Sequence, residues 1–281
     1  MSRSGVFWIA SYPKSGNTWT RCLIASLLNG GAAPALNRLA RTCPSHYVRS
    51  WIEETLDVSV DDMTPAELNE ARVAAAASWS RVGPSPHCLK IHERYDSRLY
   101  PAENTAGSVY VLRDPRDVAP SWAHHRNRPL DETIECMGSS AFSIGKKRFF
   151  SPHVEQFLGS WSDHVASWLD GAPGPLLVLR YEEMLAAPLE QAARLADFMG
   201  LSVTSEIIAK AVEVCGFQSL RTLEEKDGFS ERLDGMDRFF RQGRAGGWRD
   251  TLTAAQAARI VSDHGPMMAR LGYDLSTDTA K

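Results

Sequence analysis

A lysine, a serine and a glycine stand together between an apolar, β-rich run and a helical pattern near the start of the chain. The run is Val6–Ala10, the turn carries Lys14, Ser15 and Gly16, and the helical pattern begins at Asn17. A helix N-terminus offers unpaired N–H groups and a partial positive charge, and glycine lets the backbone come close to a ligand. This order of residues therefore predicts a phosphate cradle.

The order of residues in this turn differs from that of the loop that binds nucleoside triphosphates. That loop reads G-x-x-x-x-G-K-[ST], so its lysine follows the second glycine. Here Lys14 precedes Gly16, and the glycine that should stand upstream is absent. The turn therefore predicts a phosphate site of a different family.

A second candidate phosphate site begins at Arg113, the last residue of the apolar run Ser108–Arg113. An aspartate, a proline and a further aspartate follow, which are typical of a helix start. Ser121 lies two turns into that helix. Because arginine offers a planar fork of donors and serine adds a neutral donor, this pair suits a phosphate dianion. We interpret the neighbouring Arg116 as a solvated helix charge.

A third basic segment precedes the last helical pattern of the chain. It runs from Arg241 to Gly247 and combines arginine with three glycines. Backbone N–H groups in a glycine-rich turn can hold an anion. The segment therefore predicts a further contact with a negatively charged ligand.

A histidine at the end of another apolar run could act as a base. Within Cys88–His92, the period of two along a strand puts Lys90 and His92 on the same face. With a pKa of about 6.5, histidine is largely neutral at cellular pH and can accept a proton. From the spacing alone, a structural histidine at a strand end is the other interpretation. The remaining histidines show no metal-binding spacing.

The elements that must position these residues alternate between strands and helices. The strand patterns are Val6–Ala10, Cys88–His92, Ser108–Arg113 and Leu176–Arg180. The helical patterns are Asn17–Leu28, Pro65–Ser80, Val118–His125, Val154–Leu169, Leu189–Met199, Ser205–Val214 and Ala254–Leu271. This alternation predicts an α/β fold in one domain, residues 1–281, with a central parallel sheet flanked by helices. Since parallel strands end at one edge, Lys14, His92 and Arg113 should converge there.

Composition limits the class of protein. The 281 residues fit one α/β domain, and the net charge of -3 argues against a protein that coats nucleic acid. The five cysteines are scattered, which indicates reduced thiols rather than a disulfide framework or a zinc site. No signal peptide or membrane-spanning run is apparent, so we expect a cytoplasmic protein.

The motifs together resemble those of one family, the soluble, cytosolic-type sulfotransferases. Their donor is 3′-phosphoadenosine 5′-phosphosulfate (PAPS), and their product is the bisphosphate PAP. The stretch SYPKSGNTW, Ser11–Trp19, resembles their 5′-phosphosulfate loop, and Val109–Trp122 resembles their 3′-phosphate site. The segment from Arg241 resembles their R-K-G-x-x-G-D-W-K loop, although Gln242 replaces the lysine and Gly247 the aspartate. The opening motif and the compact length look bacterial in style.

The resemblance implies a role for each matching residue. His92 matches the catalytic base of the family's K-T-H motif, Lys90 its lysine, and Lys14 the residue that stabilises the leaving oxygen. The positions implied to bind the donor are Lys14, Ser15, Gly16, Asn17, Thr18, Trp19, Arg113, Ser121, Tyr181, Phe217, Arg241, Gln242 and Gly243. Trp19, Tyr181 and Phe217 among them match the aromatic residues at the adenine. No metal is expected, and Arg244 is a candidate to replace the lysine missing at Gln242.

Two segments, 36–62 and 126–148, show no continuous helix or strand pattern. Long loops in compact domains often carry binding residues, so we expect both to form walls of the acceptor site. Plain surface connections are the alternative. The expected acceptor is a hydroxyl of a small molecule: a phenol, an alcohol or a natural-product scaffold of secondary metabolism. A homodimer is left open, and neither nucleic acid nor a membrane is expected as a partner.

Two other functions stay open on the sequence. A nucleoside-triphosphate-dependent, kinase-like enzyme is one, but the order of Lys14 and Gly16 and the pairing of Arg113 with Ser121 argue against it. A non-catalytic nucleotide-binding protein is the other, and it would require His92 to be incidental.

Overall fold

The computed structural model describes residues 5–82, 86–145, 152–233 and 235–280 of the chain. The strands are β1 (Val6–Ser11), β2 (His87–Ile91), β3 (Thr105–Leu112), β4 (Ser143–Ile144), β5 (Gln156–Phe157) and β6 (Leu176–Arg180). The helices are α1 (Asn17–Leu28), α2 (Leu39–Thr42), α3 (Arg49–Leu56), α4 (Pro65–Trp79), α5 (Pro115–Arg126), α6 (Leu130–Gly138), α7 (Trp161–Gly171), α8 (Tyr181–Ala186), α9 (Pro188–Phe198), α10 (Ser205–Val214), α11 (Phe217–Asp227) and α12 (Ala254–Arg270).

The central sheet is parallel and has the strand order β2-β1-β3-β6. Ala10 of β1 pairs with Ile91 of β2 and with Tyr110 of β3, so these three strands end at nearly the same level. The residues that follow them therefore meet at one edge of the sheet. The predicted fold class is confirmed, and all four predicted strands are present.

Helices cover both faces of this sheet because side chains along each strand alternate between two apolar clusters. Phe7 and Ile9 of β1 belong to the cluster that includes residues of α1, α9 and α11. Trp8 and Ala10 belong to the other cluster, with residues of α5, α6, α7 and α12. A sheet buried on both faces favours strands that are apolar along most of their length, as β1 and β3 are.

One predicted helix, Val154–Leu169, is wrong in its first part. Gln156 and Phe157 form β5, which pairs with β4 in an antiparallel hairpin. The helix begins at Trp161 because Ser160 caps it in a reciprocal capping box with Asp163. The apolar residues that precede Ser160 predicted a helix, but Phe157 among them lies in the hairpin.

The two segments without a sequence pattern are largely helical. Residues 36–62 contain α2 and α3, and residues 126–145 contain α6 and β4. The basic end of the second segment, 146–148, lies outside the described residues. The six-residue helix α8 and the eleven-residue helix α11 were also not predicted. In the part of the chain that the structure describes, no helix is both long and apolar enough for a membrane span.

Candidate active site

A cavity of about 640 Å³ opens at the carboxyl edge of the central sheet. Its wall combines the loop after β1, the ends of β2 and β3, and the first residues of α8 and α11. The predicted site residues that line it are Lys14, Gly16, Asn17, Thr18, Trp19, Lys90, His92, Arg113, Ser121, Tyr181, Phe217, Arg241, Gln242 and Gly243. Motifs that are far apart in the chain therefore share one cavity.

The loop between β1 and α1 has the geometry of an anion cradle. Lys14 and Gly16 both have left-handed backbones, with φ of 68° and 114°. A Cβ on Gly16 would lie 2.9 Å from the ring of Tyr181, so only glycine fits there. Since Gly16 is the N-cap of α1 and has no side chain, the first N–H groups of the helix stay available.

Ser15 is the predicted site residue that does not line the cavity. It is buried within the turn, and its hydroxyl finds no hydrogen-bond partner among the described residues. Its backbone N–H donates to the carbonyl of Tyr12 at 3.3 Å. In this structure Ser15 therefore helps to shape the turn rather than to line the cavity.

The ammonium group of Lys14 lies in a positively charged part of the cavity. Its Nζ is 4.1 Å from the centroid of the Phe239 ring. Burial, followed by the positive charges of Lys90 and Arg113, lowers the pKa of Lys14 to about 7. The lysine is therefore only partly charged at neutral pH until an anion comes near.

His92 is oriented by a hydrogen bond from one ring nitrogen to the backbone. Its Nδ1 lies 2.9 Å from the carbonyl oxygen of Ser11. Because a carbonyl oxygen can only accept, Nδ1 carries the proton and Nε2 keeps its lone pair. Burial and the charge of Lys90 hold the pKa of His92 well below its usual range, so the ring is neutral. This is the state that a general base requires.

Buried polar groups support the backbone around His92. Its carbonyl accepts a hydrogen bond from Nε2 of His164 at 3.1 Å. The next residue, Glu93, forms a buried ion pair with Arg72 and accepts a hydrogen bond from the hydroxyl of Tyr100 at 2.8 Å. These contacts hold the chain at the point where it leaves β2. Sequence reasoning missed them because Arg72 carries no local signal of its partner.

Lys90 has an acidic partner that sequence reasoning also missed. Its Nζ donates to Oε2 of Glu231 at 3.0 Å, and the other oxygen of Glu231 accepts from Arg21 at 2.6 Å. Glu231 belongs to the segment after α11 and lines the cavity. The structure thus brings Lys90 and His92 to the same cavity, as predicted, and adds a carboxylate beside them.

Arg113 connects two of the predicted phosphate-binding segments. Its Nη1 donates to the carbonyl of Lys14 at 3.1 Å, and its Nη2 donates to the carbonyl of Arg244 at 3.1 Å. The guanidinium carbon lies 4.2 Å from the centroid of the Tyr181 ring. The loop after β1 and the glycine-rich segment are therefore held at fixed positions around one arginine.

The carboxylate of Asp117 holds the glycine-rich segment against α5. It accepts hydrogen bonds from the N–H of Gly246 at 2.7 Å and from the N–H of Trp248 at 2.9 Å. Gly243 has a φ of 60°, and a Cβ there would lie 2.1 Å from the ring of Phe217. Glycine is therefore required where this segment passes over α11.

Two arginines differ from their sequence interpretation. Arg116 is not a solvated charge: it is 2% exposed, pairs with Asp114 at 2.7 Å and donates to the carbonyl of Ser276 at 2.6 Å. Arg244 is absent from the cavity lining and pairs with Asp250 at 2.7 Å. In this structure its side chain therefore lies outside the cavity lining, and its replacement of the missing lysine stays a prediction.

Aromatic residues form one end of the cavity. The rings of Trp19 and Tyr181 meet edge to face with centroids 5.6 Å apart, and Phe217 lies at the start of α11. Residues from both segments without a sequence pattern also reach the wall. They are Leu36, Asn37, Ala40, Ser45, Tyr47, Val48, Arg126 and Ile144. Their contact with an acceptor stays a prediction.

Comparison with known proteins finds matches along most of the chain. The model of the sulfotransferase domain family matches residues 5–272 of the chain. Cytosolic sulfotransferase 17 of Arabidopsis thaliana is 28% identical over 284 residues, which cover 92% of this chain and 73% of the relative. Sulfotransferase 1B1 of Mus musculus is 26% identical over 295 residues, which cover 99% and 87%.

Solved structures of similar fold come from proteins with lower identity. Retinol dehydratase in complex with androsterone and the inactive cofactor PAP has a TM-score of 0.64 and 22% identity, covering 95% of this chain and 81% of its own. Mouse sulfotransferase SULT7A1 complexed with PAP has a TM-score of 0.58 and 19% identity, covering 95% and 85%. At these identities the likeness shows the fold.

Proposed function

The chain belongs to the sulfotransferase family, and we propose that it transfers the sulfuryl group of PAPS to a hydroxyl of a small molecule. The observation that supports this most is the meeting of three features in one cavity: the loop after β1, Arg113 and His92. The first two suit the two charged ends of the donor, and the third suits the hydroxyl of the acceptor.

The loop after β1 fits the 5′-phosphosulfate end of the donor. The N–H groups at Asn17 and Thr18 and the ammonium of Lys14 supply positive charge there. The hydroxyl of Ser15, which lacks a partner among the described residues, lies in the same turn.

The second part of the cavity fits the 3′-phosphate and the adenine. Arg113, Ser121 and Arg241 line it and offer donors for a phosphate dianion. Gln242 offers an amide where the family has a lysine, so we assign it a neutral contact. The aromatic residues Trp19, Tyr181 and Phe217 would hold the adenine base, because aromatic rings stack on one another or meet edge to face.

His92 is assigned the role of general base. Its Nε2 would take the proton of the acceptor hydroxyl while the acceptor oxygen forms a bond to sulfur. The bond between sulfur and the bridging phosphate oxygen breaks in the same step, and PAP leaves with that oxygen. Lys14 would stabilise the charge that develops on the leaving oxygen, and Lys90 would orient the sulfuryl group.

The cavity wall also bears on which acceptor the enzyme uses. We assign the acceptor to phenols, alcohols or natural-product scaffolds, which fits a cavity walled by apolar and aromatic side chains such as Tyr47, Val48 and Trp122. A cytoplasmic, bacterial enzyme of secondary metabolism is the setting that we propose, with segments 36–62 and 126–148 at the acceptor site.

Thermal unfolding with different nucleotides tests the donor assignment. A ligand at 100 times its Kd stabilises a protein by about 2.7 kcal/mol, so PAP should raise the Tm clearly and ADP should raise it little. Replacing Ser121 by alanine should weaken PAP roughly tenfold and leave ADP unchanged, because one hydrogen bond to a charged group is lost. Equal shifts with PAP and ADP, or a preference for ATP with Mg²⁺, would favour the kinase-like alternative.

The lowered pKa of Lys14 predicts that donor binding depends on pH. Because this pKa is about 7 in the free protein, Lys14 is charged below that pH and neutral above it. A polyanion favours the charged form, so PAP affinity should fall as the pH rises from 6 to 9, and binding above pH 7 should take up a proton. Calorimetry at pH 8 in two buffers of different ionisation enthalpy measures the uptake. Identical heats in both buffers would contradict the expectation.

A further inference from the structure

Resting on the proposed sulfuryl transfer, we propose that Glu231 is a positioning residue for the reaction: its carboxylate holds the ammonium of Lys90 in place beside His92. Neither the sequence motifs nor the family resemblance drew attention to this residue. The inference comes from an ion-pair triad, defined here as Arg21, Glu231 and Lys90.

Each oxygen of Glu231 has its own cationic partner. Oε1 accepts from Nη1 of Arg21 at 2.6 Å, and Oε2 accepts from Nζ of Lys90 at 3.0 Å. Arg21 lies in α1, and its Nη2 also donates to the carbonyl of Cys43 at 3.3 Å. The arginine is thus anchored in the protein interior, and it fixes the carboxylate that in turn holds Lys90.

The burial of the triad makes the carboxylate decisive for the charge of Lys90. The side chain of Arg21 is 0% exposed and that of Lys90 is 9% exposed. Although burial alone would lower the pKa of Lys90, the charge of Glu231 holds it above its usual value. Without that carboxylate, two buried cations would face one another with no compensating charge.

The position of the triad links it to the reaction rather than to stability alone. Glu231 lines the cavity, and its side chain is 26% exposed, in contrast to the sealed Arg21. The ammonium of Lys90 lies 5.8 Å from the centroid of the Tyr47 ring, and that ring lies 6.2 Å from the ring of His92. Lys90 and His92 are two residues apart around the end of β2, and both line the cavity. After burial, the charge of Lys90 is the next cause of the low pKa of His92, so Glu231 acts on the reaction through Lys90.

Other charged groups face the same region, and the triad affects them too. The charge of Glu231 raises, and the charge of Lys90 lowers, the pKa values of Lys14, His92 and His153. The carboxylate of Glu231 therefore offsets part of the positive charge of this wall. An unpaired Lys90 would make the protonation of Lys14 harder still.

A double-mutant cycle distinguishes two roles of Glu231: positioning Lys90 for the reaction, or only tethering its own segment to α1. Glu231→Gln, Lys90→Met and the double variant would be assayed with PAPS and 4-nitrophenol as the probe acceptor. Glu231→Gln should lower kcat roughly 10–100-fold, because Lys90 loses a charge-assisted hydrogen bond that fixes its position. In the Lys90→Met background the same change should lower kcat much less, because Lys90 is gone and only the pairing with Arg21 is lost. Glu231→Asp should restore part of the activity, and the exposed Glu225→Gln should match the wild type.

Two results would overturn the inference. One is an unchanged kcat for Glu231→Gln, and the other is an equal loss in both backgrounds, which would mean that Glu231 only tethers its segment to α1. Failure of the wild type to bind PAP would instead contradict the proposed function.

A second readout needs no turnover. Acetylation of Lys90 by acetic anhydride at pH 8, measured by mass spectrometry, should rise several-fold in Glu231→Gln, because a less protonated amine reacts faster. Unchanged labelling of Lys90 would overturn the inference whether or not the chain sulfates the probe.

Discussion

Turnover of the His92→Ala variant should be roughly 10²–10⁴-fold lower than that of the wild type, which is the usual contribution of a general base. The reason is geometric: Nδ1 of His92 donates to the carbonyl of Ser11, so Nε2 is left as the proton acceptor. The affinity for PAP should change little, since His92 is assigned to the acceptor and not to the nucleotide. Steady-state assays with PAPS, together with calorimetric titration of PAP, measure both quantities.

A histidine on α5, His124, provides the control for this prediction. His124 is exposed and absent from the cavity lining, so His124→Ala should keep wild-type turnover. The acid limb of the pH profile gives a second check. Because burial lowers the pKa of His92, activity should persist well below pH 6.5 and fall only when the ring is protonated. Near wild-type turnover of His92→Ala would remove this residue from the role of base.

Replacing Lys14 by methionine should impair both donor binding and turnover. Its ammonium is the charged group in the turn at the N-terminus of α1. Removing a group that stabilises a developing anion lowers kcat by roughly 10²–10³-fold. PAP affinity should also drop, by about tenfold or more, because a charge-assisted contact is lost. The backbone strain stays equal, since methionine at a φ of 68° is no worse placed than lysine.

The exposed Lys210→Met variant controls for the loss of one positive charge from the whole protein. It should bind PAP and turn over as the wild type does, because Lys210 lies on α10 and does not line the cavity. If Lys14→Met kept full affinity for PAP at pH 6, where the wild-type lysine is charged, the assignment of the loop after β1 to the donor would be wrong.

Local patterns were sufficient for the fold and for the outline of the site. Strands buried on both faces read as continuous apolar runs, and α4 and α12 carry their capping boxes in the sequence, so their positions could be predicted. The motif residues could be placed together because parallel strands end at a common edge. The hairpin of β4 and β5 was missed because two-residue strands leave no period to recognise.

The contacts that hold the site could not be predicted because their partners are distant in sequence. Glu231 is 210 residues from Arg21 and 141 from Lys90, and no spacing rule connects them. Arg116 was misjudged partly for the same reason: its ion pair with Asp114 is local, but the partner of its other hydrogen bond, the carbonyl of Ser276, is distant in sequence. Such pairs exist only once tertiary packing has brought the elements together.

The hydrogen bonds of Asp117 and Arg113 have a consequence for the thermodynamics of recognition. They order the glycine-rich segment through contacts within the chain itself. The conformational entropy of that segment is therefore lost on folding and need not be lost again on binding. On the proposed function, the nucleotide would bind to a segment that the fold has already ordered, at little further cost in conformational entropy.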